Sequence, residues 1–247
     1  MSELKSYAVW DAGTRWFHWI NAICVIGLGA VGFTILNASA LDASNAGKVT
    51  LKTVHVSIGY IFILNLIWRI VWAFLGNRYA RWRSILPGGK GYFHAVRSYI
   101  AAFIAGNPEQ YLGHNPVGRL GIAALFVLIF ILGITGLVLA GTDLFFPPIG
   151  HWIAQWVAAP GVNPDTLVPY TPSMYDSVAY ESMRAFRKPF ASIHVYSFYV
   201  LVIVVVAHIA AVVITELKEG GSIISAMFTG RKIISKPPQD EESSDRD

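Results

Sequence analysis

The chain has 247 residues, 54% of them hydrophobic and 14% charged, with a formal net charge of +4 and a mean hydropathy of +0.50. So apolar an average position suits hydrocarbon better than water, which argues against a soluble basic protein that binds nucleic acid. One cysteine, Cys24, and the lack of a CxxCH exclude intrachain disulfides, thiolate zinc sites, iron–sulfur clusters and covalently attached c-type haem.

A helix needs about 20 apolar residues to cross the roughly 30 Å hydrocarbon layer. The first stretch that qualifies is 16 to 37, WFHWINAICVIGLGAVGFTILN. It is long, opens with aromatic residues and has no small-x-small cleavage site, so it is expected to stay in the protein. The second is 53 to 75, TVHVSIGYIFILNLIWRIVWAFL. After it, GNRYARWRSILPGG suits the headgroup zone, and GYFHAVRSYIAAFIAG reads as a short amphipathic helix on the membrane surface. The third span is 119 to 141, RLGIAALFVLIFILGITGLVLAG, and the long loop 142 to 189 behind it contains PPIGHWIAQWVAAPG, again interfacial in character. The fourth is 190 to 215, FASIHVYSFYVLVIVVVAHIAAVVIT. Residues 233–247, ending in PPQDEESSDRD, are expected to form a disordered tail.

The expected fold is therefore an all-α, integral membrane four-helix bundle over residues 1–232, with short interfacial helices in its loops. Segments 1 to 15, 76 to 119 and 216 to 247 hold thirteen Lys and Arg, against five in 38 to 52 and 142 to 189. Positive residues mark the cytoplasmic side, so both termini are expected there.

Four of the seven histidines, His18, His55, His194 and His208, lie in or at the ends of spans. An ionisable residue at membrane depth is costly and points to function, and imidazole is a usual axial ligand of haem iron. His194 and His208 are fourteen residues apart, which on a helix leaves them about 40° apart in azimuth and roughly 21 Å apart along the axis. That is too far for one iron and suits one haem in each leaflet. With the termini inside, His55 matches His194 in depth near the outer face, and His18 matches His208 nearer the cytoplasm. Zinc fits poorly, since pairs in separate leaflets cannot complete one tetrahedral shell. A proton relay, or a non-redox anchor or transporter using its histidines for protons or metal, is the competing reading from another class; the four spans contain no Asp or Glu. Gly27, Gly29, Gly32, Gly133 and Gly136 would leave room for a flat macrocycle or, alternatively, allow close helix packing. Arg15 and Arg69 are candidates to balance haem propionates, although Arg69 could instead snorkel from the end of its span.

WDAGTRWFHWINAICVIGLGAVGF, RIVWAFLGNRYAR at 69 to 81, GHNP at 113 to 116, the H-x13-H of the fourth span and IISAMFTGRK together resemble the b-type cytochrome subunit of membrane-bound nickel–iron hydrogenases, within the bacterial cytochrome b561-like superfamily. The likeness runs from about Tyr7 to Lys232. It implies two non-covalent haem b groups with axial ligands at His18, His55, His194 and His208, the set reached by depth. It also implies electrons arriving from a periplasmic redox partner, such as a hydrogenase small subunit or a multihaem cytochrome, and leaving to quinone in the bacterial inner membrane. The chain departs from the family at Ser197, where a further histidine is frequent, and in the length of the 142–189 loop. A stand-alone quinol or superoxide oxidoreductase is the alternative within the redox class. The quinone is expected near the inner haem, within reach of His114, Asn115 and Arg119, with GHNP as a plain turn and helix start the competing reading.

Overall fold

The structure is a computed structural model, and it describes residues 4–219 and 222–241. A short strand β1 (Lys5–Ala8) precedes α1 (Ala12–Leu36) and α2 (Asn45–Leu75). Two shorter helices follow, α3 (Trp82–Ile85) and α4 (Tyr92–Ile104), and then α5 (Pro116–Leu144) and α6 (Gly150–Val157). Two 3-10 turns lead into α7 (Ser177–Glu219), α8 (Ile223–Thr229) and strand β2 (Arg231–Ile234). The fold class is all-α, and α1, α2, α5 and α7 are each long and apolar enough to cross a membrane. Many of their large side chains, among them Ile26, Leu64, Ile134 and Ile203, face outward, as a chain solvated by lipid requires.

The helices are longer than the apolar runs, and capping residues explain where they start. The Asp11 carboxylate accepts from the Thr14 N–H at 2.8 Å, and the Ser44 hydroxyl from the Gly47 N–H at 3.1 Å. Asn115 accepts from the Gly118 N–H at 2.6 Å, with Pro116 in the first helical position, where its missing N–H costs nothing. Asp176 accepts from the Ala179 N–H at 2.8 Å, so α7 begins thirteen residues before the apolar run and carries Pro189 inside it. The 142–189 loop thereby shrinks to 145–176, much of it occupied by α6 and the two turns. The helix expected in GYFHAVRSYIAAFIAG is α4, and the interfacial stretch PPIGHWIAQWVAAPG contains α6.

The tail departs from the disorder expected of residues 233–247. Ile233 and Ile234 complete β2, which pairs antiparallel with β1 in the register Lys5 to Ile234. Beyond it, the Asp240 carboxylate accepts from the Leu112 and Gly113 N–H groups at 2.6 and 2.7 Å. The polar composition suggested solvation, but alternate strand residues bury their side chains here and the carboxylate finds backbone donors. Residues 242–247 lie outside the described residues.

The chain forms two compact units. The first comprises the chain up to Trp19, Leu66–Val127 and everything from Val202. It contains the β1–β2 pair and a core of Val9, Tyr79, Leu112 and Ile234. The second comprises Ile20–Asn65 and Leu128–Leu201, with a core of Ile153, Val157, Tyr175 and Met183. Each unit draws segments from all four long helices, and each contains two of the four span histidines.

Candidate haem-binding sites

In the second unit, α2 presents His55 and α7 presents His194 with ring centres 6.2 Å apart at an interplanar angle of 71°. An imidazole nitrogen bonds a metal at about 2 Å and sits about 1 Å from its ring centre, so two rings on opposite sides of one ion have centres about 6 Å apart. The pair therefore fits a single iron between its rings. Each ring is held from behind by a neighbouring helix. A Cβ on Gly32 of α1 would stand 3.2 Å from His55 Cε1, and one on Gly136 of α5 would stand 3.3 Å from His194 Cε1. His55 Nδ1 is buried, and although the Leu28 carbonyl lies beside it, no hydrogen bond of good geometry forms. His194 Nδ1 lies 2.8 Å from the Thr135 hydroxyl. The Nδ1 side of both rings thus faces helix, leaving Nε2 for an external ligand.

The first unit contains His18 of α1 and His208 of α7. His18 Nδ1 is buried without a partner, and the ring meets Trp19 edge-on at 5.0 Å. Trp19 donates from Nε1 to the Met227 carbonyl at 3.0 Å, fixing α8 against the start of α1. Among the described residues no group of three or more His, Cys, Asp or Glu could hold a metal ion. Two imidazoles and nothing more form an incomplete shell for zinc but a full complement for iron whose other four ligands belong to a macrocycle. The donor chemistry and the ring spacing therefore fit haem.

Arg15 and Arg69 both fall in the first unit. Arg15 donates to the Phe228 carbonyl, and its Nε is buried without a partner. Arg69 does not snorkel: it is 3% exposed. Its Nη2 donates to the Ala80 carbonyl at 2.9 Å, and the rings of Phe17, Trp82 and Phe126 surround the guanidinium at 5.7, 5.9 and 5.7 Å. These faces solvate the cation in place of water. Nη1 is left buried and unsatisfied, a donor suited to an anion.

The three residues expected at the quinone are arranged unequally. Asn115 is committed to the fold, since its Oδ1 caps α5 and its Nδ2 donates to the Tyr99 hydroxyl at 2.7 Å. Arg119 donates to the Leu86 and Arg83 carbonyls. His114 packs 4.8 Å from the Trp10 ring, with Nδ1 sealed and unpartnered although the residue as a whole is only half-buried. Burial first, and then the charges of Lys232, Arg69, His208 and Arg119, push its imidazole down to about 3. GHNP is therefore a helix start, and His114 is its one residue with a free polar atom.

The sequence reading missed Thr135, which looks in isolation like a helical threonine bonded to its own backbone. Its one signal was position, a hydroxyl beside a glycine in a span that otherwise reads as lipid-facing. The reading also missed the ion cluster of Lys52, Asp143 and Arg187, in which Asp143 binds Lys52 at 2.5 Å and accepts from Nε and Nη2 of Arg187. These residues lay beyond the ends of the apolar runs.

A family model described as prokaryotic cytochrome b561 matches residues 9–230. The probable Ni/Fe-hydrogenase B-type cytochrome subunit of Rhizobium leguminosarum bv. viciae is 28% identical over 247 residues, 94% of this chain and 91% of the relative. The corresponding subunit of Azotobacter vinelandii is 29% identical over 161 residues, 59% of this chain and 65% of the relative. The Ni/Fe-hydrogenase 1 subunit of Escherichia coli (strain K12) is 31% identical over 149 residues, 56% and 61%. The matches to the Azotobacter and Escherichia subunits thus span less than two thirds of those relatives. Since the family match covers nearly the whole chain, from the cap of α1 through α8, the chain belongs to the prokaryotic cytochrome b561 family of b-type cytochromes.

Proposed function

We propose that the chain is a diheme membrane subunit that carries electrons between a hydrogenase-like periplasmic partner and quinone in the inner membrane. The observation that carries this reading is the 6.2 Å spacing of the His55 and His194 rings with both Nδ1 atoms turned to the helices behind them. His18 and His208 would hold the second haem. Haem iron supplies a one-electron ferric–ferrous couple at each site when bound. The protein's part is to orient the imidazoles, exclude water and set the local charge. Arg69, with one buried donor unsatisfied, and Arg15 would neutralise propionates at the His18–His208 site. With both termini cytoplasmic, as the distribution of Lys and Arg supports, the His55–His194 site lies toward the periplasm. The segment 145–176, with Trp152 and Trp156 exposed on α6, would then face the electron-donating partner. That relatives are named as hydrogenase cytochrome subunits supports this choice of partner.

A reduced-minus-oxidised spectrum with a haem count tests the reading. Two haems per chain are expected, with about one lost in His194→Ala and one in His208→Ala; retention of both in either variant refutes the pairing. Quinone would be reduced beside the His18–His208 site, with His114 as the residue within reach of a ring oxygen. Unchanged quinone turnover in His114→Ala with both haems present would remove that assignment.

A further inference from the structure

Thr135 stands one residue before Gly136 on α5, behind His194. Its hydroxyl is 2.6 Å from the Ile131 carbonyl four residues earlier and 2.8 Å from His194 Nδ1. A hydroxyl has one proton and two lone pairs. The carbonyl can only accept, so the Thr135 proton goes to Ile131 and the oxygen is left as an acceptor toward His194. The Leu132 carbonyl, 3.3 Å from the same hydroxyl, is likewise an acceptor only. His194 Nδ1 therefore carries the ring proton and Nε2 keeps its lone pair. The opposite ring differs, since His55 Nδ1 meets one carbonyl and forms no well-formed hydrogen bond.

We infer that Thr135 is a positioning residue of the His55–His194 site, fixing the His194 tautomer and making His194 the more electron-donating of the two ligands. A ligand imidazole that donates its second N–H to an acceptor gains basicity. Greater basicity favours ferric over ferrous iron and lowers the reduction potential of the haem it binds. Gly136 makes the contact possible, because a Cβ there would press on the same ring. The inference rests on the haem reading above, and the experiment separates the two.

The test is an optical redox titration of the full-length chain in detergent, with low-spin haem signals recorded by electron paramagnetic resonance, for the unsubstituted protein, Thr135→Val and Thr135→Ser. Valine keeps the β-branched shape and removes the acceptor; serine keeps the hydroxyl. His194→Ala identifies which of the two components belongs to this site. For Thr135→Val the expected result is a tenfold loss of ferric preference at that component, a rise of about 59 mV for a one-electron couple, with the other component unmoved and Thr135→Ser at the original value. If valine expels that haem and leaves the other, with serine normal, the inference stands on haem count instead. Unchanged potentials and signals in Thr135→Val overturn it, as do equal shifts in both variants, which would mark a packing effect. Absence of a b-type band in the unsubstituted protein would instead overturn the haem reading itself.

Discussion

Histidine was legible in this sequence because a polar ring in an apolar run is expensive and therefore conspicuous. The groups that orient the rings were not. Gly32 and Gly136 were expected either to leave room for a macrocycle or to allow close helix packing, and it is the His55 and His194 rings that pack against them. His114 carries a prediction at this scale. Its imidazole is held down to about 3, against an ordinary value of 6.5, by burial and then by the cations around it. Between those values the unfolded chain binds a proton that the folded chain refuses, so the unfolded state gains as pH falls. The contribution of neutral His114 to stability is complete above about 6.5 and is lost progressively toward 3. Thermal midpoints at pH 7 and pH 5 should therefore differ less in His114→Leu than in the unsubstituted protein; an identical pH dependence in the two would show that the histidine does not titrate on unfolding.

Among the elements, the four long helices were legible from hydrophobic runs, but their starts were not, because apolar length says nothing about the polar turns that Asp11, Ser44, Asn115 and Asp176 cap. The tail was misread for a related reason: its composition is polar, yet its partners are distant in sequence. Gln110 holds it. Its Nε2 donates to the Glu219 carbonyl at 2.7 Å, and its Oε1 accepts from the Ser235 and Lys236 N–H groups at 3.0 and 2.8 Å. The side chain is 1% exposed, so truncation leaves these groups unpaired where water reaches poorly. An orphaned buried group costs about 1–3 kcal/mol. Gln110→Ala should lower the thermal midpoint and speed tryptic cleavage after Arg231 and Lys232, while the haem proposed at His55 and His194, in the other unit, is retained. Cleavage at the original rate would mean that β2 and the Asp240 contacts hold the segment alone.

At the level of the whole molecule, pattern led to the expectation of two haem sites at separate depths, and the two units each contain one of the expected histidine pairs. What pattern could not reveal is how the second unit fixes the helices that carry its pair. Lys52 lies three residues before His55 on α2, and Arg187 seven before His194 on α7; both bind Asp143, seven residues after Gly136 on α5. Three and seven residues are one and two turns, so each charge stands on roughly the same helix face as the site residue it accompanies. The side chains are 12 to 28% exposed, largely shielded from screening by solvent. Removing one partner of a buried ion pair costs about 3–5 kcal/mol because the other charge stays behind, whereas replacing all partners by apolar residues is often neutral. Asp143→Asn should therefore destabilise the second unit and, on the diheme reading proposed above, release the haem of His55 and His194 at a lower temperature than that of His18 and His208. The triple variant Lys52→Met, Asp143→Leu, Arg187→Met should recover most of that loss. Heating while following the two redox components separately distinguishes the outcomes: parallel release of both haems in Asp143→Asn would show that the cluster stabilises the chain as a whole, and release of one first would show that it acts on the helices that carry His55 and His194.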